Sequence, residues 1–141
     1  MPYKVSHGKA VQTTYSVDEV FSRIQHEGIQ FIDLQFTGLT GHFHHTTISA
    51  STFTPEQMKN GLPKLDGSSI IGFTSIEDSD LLLKPDPNTF AIIPWMTENK
   101  TARLLCDVYW GEDRGRLSRD PRGIAQKAEE YIKTQGFDFS T

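Results

Sequence analysis

The sequence predicts an α+β fold, in which short helices pack on one face of a β-sheet, followed by a linker and one C-terminal helix. Two observations predict this class. Stretches with the two-residue period of strands alternate along the chain with short stretches of helical period. Turn residues (Gly, Pro, Asn and Asp) separate these stretches. Strands and helices mixed in this order favour a sheet that is covered by helices on one side.

Composition limits the class of protein. A chain of 141 residues predicts one domain, or one domain with part of another. The net charge of −4 disfavours a nucleic-acid partner, and no apolar run approaches the length of about 20 residues that a membrane helix needs. The first ten residues lack the apolar centre of a secretory signal. The single cysteine excludes an internal disulfide framework and is typical of a reducing compartment, so we expect a cytoplasmic protein.

The first helix is predicted after a polar N-terminal stretch. Residues 1–14 show no periodicity and are expected to form a flexible tail. Ser16, followed three residues later by Glu19, has the pattern of a capping box at a helix start, and Gly28 ends the run. The apolar residues between them recur at helical spacing, and they are Val17, Val20, Phe21 and Ile24.

A hairpin is predicted next. Ile32, Leu34 and Phe36 alternate with polar residues, as in a half-buried strand. Residues 37–41 contain two glycines and turn the chain, and residues 43–48 return as the partner strand. Further on, Thr54-Pro55 starts a second helix that ends near Asn60-Gly61. Three more strands are expected at residues 81–83, 90–95 and 102–110.

The C-terminal part is predicted to leave this sheet. Residues 111–120 are charged and rich in turn residues, which indicates a domain boundary. Asp120-Pro121 then has the pattern of a capped helix start, and Gly136 follows the predicted end. The apolar stripe of this helix is formed by Ile124, Ala128 and Tyr131 or Ile132. Because the stripe has no partner further along the chain, we expect the helix to be mobile or to lean on a neighbouring molecule.

Asp66 is the strongest candidate for chemistry. Asp66-Gly67 is a turn signal, because Gly adopts positive φ freely and Asp hydrogen-bonds its own backbone in turns. Such a turn would hold the carboxylate at an edge, with Ser68 and Ser69 as nearby donors. A carboxylate presented in this way can accept a proton or bind a small cation. Alternatively, Asp66 only caps its own turn.

A family resemblance sharpens this interpretation. The run Leu65–Ser69, followed after eight residues by Asp78–Leu83, resembles the N-terminal signature of glutamine synthetases of the bacterial and archaeal type. The segments 31–41 and 106–136 resemble the passages before and after that signature, and the match is continuous from about Tyr15. The resemblance implies a β-grasp domain at residues 15–110. It also implies that residues 111–141 are a linker and the first helix of a truncated catalytic domain.

The resemblance also implies roles for residues. Asp66 would bind ammonium and help to deprotonate it, so that ammonia can attack an acyl phosphate made from glutamate and ATP. Ser69 would orient this site, although an ordinary turn hydroxyl is the alternative. The resemblance further assigns five residues to the ammonium-binding loop or the subunit interface: Gly67, Ser68, Phe73, Ser79 and Asp80.

Cofactors and partners follow from the same resemblance. ATP and Mg or Mn are implied for the full-length enzyme, but their ligands would lie downstream of Thr141, so this chain is expected to bind no cofactor or metal itself. The loop would be lent to the catalytic domain of an adjacent identical subunit, in a dodecamer of stacked hexameric rings. The chain alone would therefore be inactive. Two other readings stay open: a stand-alone β-grasp module that docks on glutamine synthetase and regulates it, and an inactive relative.

Other clusters have simpler interpretations. His42 and His44 would share one face of a strand and His45 the other, so a metal site is the weaker alternative to surface histidines. Cys106 lies in an apolar run and is expected to be a small buried hydrophobe. The arginines near residue 116 favour a solvated linker or intersubunit pairs over phosphate binding, and they are Arg114, Arg116, Arg119 and Arg122.

Overall fold

The structure is a computed structural model that describes residues 3–6, 9–12, 14–75 and 77–137. The predictions that fall on residues 1, 2, 7, 8, 13, 76 and 138–141 lie outside these ranges. No helix in the described ranges has the length and apolar character needed to cross a membrane.

The N-terminal segment differs from its prediction. Strands β1 (Tyr3–Ser6) and β2 (Lys9–Gln12) pair antiparallel in a separate two-stranded sheet, with Tyr3 opposite Gln12. These eight residues therefore have regular secondary structure that the sequence did not predict, while the flexibility expected of the segment stays a prediction.

The first helix forms as its local sequence predicts. Helix α1 (Val17–His26) starts with a complete capping box. The Ser16 hydroxyl accepts a hydrogen bond from the Glu19 backbone N–H at 3.2 Å, and the Glu19 carboxylate accepts one from the Ser16 N–H at 2.6 Å. Val20 and Ile24 bury one face of the helix. Gly28, with a φ of +66°, turns the chain away from the helix axis.

A six-stranded mixed sheet forms the centre of the domain. Its order is β4-β3-β8-β6-β5, with the short β7 also paired to β8. β3 and β8 are parallel, and the other pairs are antiparallel. The strands are β3 (Phe31–Thr37), β4 (Phe43–Ser49), β5 (Leu62–Asp66), β6 (Asp80–Pro85), β7 (Ala91–Ile92) and β8 (Thr101–Trp110). The predicted hairpin is confirmed, with Phe36 opposite His44.

Two strand predictions need correction. The segment 90–95 forms only the two-residue β7, and turn residues follow it before Trp95. β5 was not predicted, because Pro63 interrupts its apolar pattern. Proline is tolerated there because β5 lies at the edge of the sheet, where a missing N–H breaks no ladder.

The core lies between one face of the sheet and the two short helices α1 and α2 (Pro55–Asn60). Alternate residues of the two central strands point into it, and they are Ile32, Leu34 and Phe36 of β3 and Ala102, Leu104, Cys106 and Val108 of β8. Cys106 is fully buried, which confirms its predicted role as a small apolar residue. Burial raises the pKa of its thiol far above the ordinary value.

Helix α3 (Pro121–Thr134) follows the predicted linker and cap. Its stripe is largely uncovered, since the side chains of Ile124 and Tyr131 are 53% and 66% exposed. Its first turn, in contrast, is fixed to the sheet through Asp120, which is fully buried.

Candidate functional site

Asp66 is the last residue of the edge strand β5, and its exposed carboxylate caps the 3-10 turn that follows. The Ser68 backbone N–H and hydroxyl both donate to Asp66 Oδ1, at 3.0 and 2.6 Å. This is the Asx-type turn that the Asp-Gly dipeptide predicts. The turn therefore fixes the direction of the carboxylate while leaving it at the surface.

The two hydrogen bonds from Ser68 lower the pKa of the Asp66 carboxyl, the one from the hydroxyl most strongly. The Ser79 side chain adds a smaller contribution in the same direction. Hydrogen bonds to the charged form of an acid favour that form. Asp66 is therefore an anion at neutral pH.

Gly67 anchors the turn. Its N–H donates to the Ser79 carbonyl at 2.7 Å and closes the base of the loop 67–79. A Cβ atom at this position would lie 2.4 Å from Thr74 Oγ1 and 2.6 Å from Leu81 Cδ1. A side chain at Gly67 would therefore force Thr74 and Leu81 to shift, so this close packing helps to set the position of Asp66 beside it.

The carboxylate faces an acidic surface. Asp80, the first residue of β6, lies directly opposite Asp66 in the strand register. Both acids, together with Glu112, line an open depression of about 620 Å³. Lys64 also lines it. Like charges on neighbouring strands repel each other. A small cation between them would relieve that repulsion.

The other predicted loop residues take different positions. Ser69 is exposed, and no residue in the described ranges hydrogen-bonds its hydroxyl. Phe73 is only 1% exposed and packs in the core, with its ring centroid 6.4 Å from that of Phe36. The structure therefore does not place Phe73 where a ligand can touch it, in contrast to its predicted contact role; it anchors the loop to the core instead. Asp80 lines the depression beside Asp66, and Ser79 lines a neighbouring one together with Asp78 and Arg114. The roles that the signature implies for Ser79 and Asp80 stay predictions.

Two arginines of the linker hold the same loop, which sequence reasoning missed. Arg114 donates two hydrogen bonds to the carboxylate of Asp78, at 2.7 and 2.8 Å. Arg119 donates to the Gly72 carbonyl at 2.9 Å. No local signal predicts these contacts, because the partners lie 36 and 47 positions apart in the sequence.

For the remaining two arginines, Arg116 and Arg122, the prediction of a solvated linker or of pairs between subunits is wrong. Arg116 pairs with Asp120 at 2.9 Å and with Asp107 at 2.8 Å. Arg122 pairs with Asp86 at 2.7 Å and also with Asp107. These ion pairs are intramolecular and half-buried, and they fix the start of α3 to the sheet.

The three neighbouring histidines, His42, His44 and His45, lie in or next to β4, and two of them contact other side chains. His45 Nδ1 lies 2.7 Å from Asp33 Oδ1, and the His44 ring stacks on Phe36 with centroids 5.3 Å apart. His42 precedes β4. Across the described part of the chain, no group of three or more His, Cys, Asp or Glu side chains is arranged to hold a metal ion.

The six-stranded mixed sheet, with two helices on one face and an acid-bearing turn at its edge, defines this protein as a β-grasp domain. The family that matches residues 28–111 is described as the glutamine synthetase β-grasp domain. The chain belongs to the glutamine synthetase family.

Curated relatives match most of the chain. The chain is 48% identical to the glutamine synthetase of Sulfolobus acidocaldarius over 119 residues, which cover 84% of this chain and 25% of that protein. It is 40% identical over 121 residues to a 3-hydroxylaminophenol mutase of Cupriavidus pinatubonensis, covering 86% of this chain and 25% of the mutase.

The cryo-EM structure of Plasmodium falciparum glutamine synthetase shares the fold, with a TM-score of 0.76 at 21% identity. The superposition covers 89% of this chain and 24% of that one. The chain spans about a quarter of the length of the curated relatives it matches.

Proposed function

We propose that this chain supplies the ammonium-binding acid, Asp66, to the active site of a glutamine synthetase, the enzyme that joins ammonia to glutamate at the expense of ATP. The observation that carries the proposal is the exposed, ionised carboxylate of Asp66 on a hydrogen-bonded turn at an acidic edge. Ammonium is not a nucleophile until it loses a proton. A carboxylate beside it both stabilises the cation and accepts that proton.

Asp80 and Glu112 extend the negative surface around Asp66. They raise the local concentration of a small cation without touching the reacting atoms. Ser68 holds the carboxylate in one orientation, and Ser69 is exposed next to it, where its hydroxyl can complete the site. Placing ammonium at a fixed point beside the acyl phosphate supplies a further part of the acceleration.

The rest of the active site comes from elsewhere in the enzyme. ATP, Mg or Mn and glutamate would bind outside these 141 residues. Phosphoryl transfer needs metal ions to neutralise the developing charge, and the described residues hold no group of three or more His, Cys, Asp or Glu side chains arranged to bind one. An acid at an exposed sheet edge can reach such a site only across a contact with another domain. We assign that contact to the catalytic domain of an adjacent identical subunit in a ring-shaped oligomer.

The substitution Asp66→Asn in the full-length enzyme tests the role of the acid, because it keeps the shape of the side chain and removes its charge. We expect kcat/KM for ammonium to fall by about 10²- to 10⁴-fold, the usual contribution of a general base. Glutamate-dependent cleavage of ATP, which does not need ammonium, should continue. Glu98→Gln is the matched control, since it removes one exposed acid near the opposite end of β8.

Unchanged ammonium kinetics in Asp66→Asn would refute the proposal. The assay also separates this activity from that of a relative with another reaction, such as the mutase, because only a synthetase depends on ammonium.

The proposal that the active site is shared between subunits has its own test. Mixed oligomers of Asp66→Asn subunits and subunits inactivated in the catalytic domain should regain activity if the acid is supplied by a neighbour, and should stay inactive if each subunit is complete by itself.

A further inference from the structure

We propose that Arg114 and Arg119 are positioning residues for the Asp66 carboxylate, so that the linker after β8 sets the geometry of the ammonium site. This inference deepens the proposed function and rests on it for its catalytic consequence. The contacts themselves stand independently of that function.

Arg114 is held in one orientation. Its Nη1 and Nη2 donate to the two carboxylate oxygens of Asp78, and its Nε donates to the Gly111 carbonyl at 3.3 Å. The guanidinium also lies over the Trp110 ring, 4.6 Å from its centroid. A bidentate pair fixes direction as well as distance. Asp78 is therefore tied to the end of β8 by a planar clamp.

The clamp is only a short path away from Asp66. Asp78 is followed by Ser79, whose carbonyl accepts the hydrogen bond from Gly67 N–H at 2.7 Å. Gly67 is the chain neighbour of Asp66. Because Gly67 is closely packed, its position follows that of Ser79 and the core beneath it. When Arg114 fixes the position of Asp78, it therefore also stabilises the hydrogen bond between Gly67 and Ser79 that closes the base of the loop.

Arg119 holds the other half of the loop. It donates a hydrogen bond to the carbonyl of Gly72. Gly72 lies between Ile70 and Phe73, whose side chains are buried in the core. The next residue, Asp120, is fully buried. The arginine therefore extends from a fixed point of the backbone.

The linker can act as a support because it replaces a missing strand. β3 pairs with β8 only as far as Leu105, so the last part of β8 has a free edge on that side. The linker covers it: Leu117 N–H donates to the Val108 carbonyl at 2.9 Å, and Asp120 accepts from the Val108 N–H at 3.1 Å. Leu117 is 2% exposed. The same residues begin α3, so the position of that helix and the geometry of the loop are coupled.

The first test uses this 141-residue chain and needs no activity. Hydrogen exchange of the Gly67 amide, followed by NMR, reports the bond to Ser79. We expect Arg114→Gln to accelerate exchange by about three- to fivefold at low salt, as for an exposed ion pair of good geometry. The difference should shrink in 0.5 M NaCl, about three times the physiological ionic strength, because salt screens the pair. Lys127→Gln removes the same charge from α3 and should leave exchange unchanged.

The charge-swapped double variant Arg114→Asp with Asp78→Arg should restore at least half of the lost protection. A merely structural role of the arginine stem would not allow this rescue. Exchange within twofold of the wild type in Arg114→Gln, or a double variant no better protected than the single one, would overturn the inference.

The second test measures ammonium in the full-length enzyme. Arg114→Gln should raise KM for ammonium about three- to fivefold while KM for glutamate and ATP stays constant, and the double variant should reverse the change. If Asp66→Asn impairs ammonium use but Arg114→Gln does not, the positioning role is wrong and the proposed function stands. If Asp66→Asn has no effect, the proposed function fails, whatever the exchange measurement shows about the clamp.

Discussion

The loss of the Asp120 carboxylate should strongly destabilise the fold. This carboxylate is fully buried and accepts four hydrogen bonds: from Val108 N–H at 3.1 Å, Arg122 N–H at 3.1 Å, Arg116 Nε at 3.3 Å and Arg116 Nη2 at 2.9 Å. It thereby caps α3, continues the hydrogen bonding of β8 and neutralises an arginine.

The effect of Asp120→Ala follows from these contacts. The buried N–H of Val108 loses its acceptor, which costs about 1–3 kcal/mol. The helix loses its cap, which costs about 1 kcal/mol. Arg116 loses one of its two acidic partners, although Asp107 remains. The contributions overlap, and we expect a total loss of about 3–5 kcal/mol, as for breaking a buried ion pair.

Urea denaturation of the 141-residue chain, followed by circular dichroism, measures this loss. With an m-value of about 2 kcal/mol/M, the midpoint should fall by roughly 2 M. Glu130→Ala removes an exposed acid of α3 and should change the free energy of unfolding by less than about 0.5 kcal/mol. If Asp120→Ala lost less than about 1 kcal/mol, the assigned hydrogen bonds would not hold the linker to β8.

Two further predictions concern the loop and the sheet. Gly67→Ala should cost about 1–3 kcal/mol by overpacking against Thr74 and Leu81, whereas Ser69→Ala in the same turn should be nearly neutral; thermal melts of both variants decide this. At Asp33, burial works to raise the pKa, but hydrogen bonds from Gln35, His45 and Thr47 outweigh it and hold the pKa below 3.8. Its contribution to stability should therefore be complete above pH 3.8 and should disappear as the pH falls through the lowered value, so Asp33→Asn should flatten the acid limb of a plot of Tm against pH; an unchanged acid limb would contradict the assignment.

The helix caps, the β3–β4 hairpin and the turn at Asp66 could all be predicted from the sequence. Each depends on partners within a few residues, such as Ser16 with Glu19 or Asp66 with Ser68. Interactions at that range can be predicted from the local sequence, because only a short stretch of chain has to be ordered to form them. The local patterns alone did not decide whether Asp66 takes part in chemistry or only caps its own turn. The family signature added the expected role in ammonium binding.

Only the tertiary structure decided what surrounds that turn. Burial of Phe73, the edge strand β5 and the attachment of the linker arginines to the loop all depend on which strands lie side by side in the sheet. The local sequence around Arg114 does not show whether its guanidinium pairs with Asp78 or is exposed to water. Its partner is fixed only once β6 and β8 pair, because that pairing brings residues 36 positions apart within hydrogen-bonding distance.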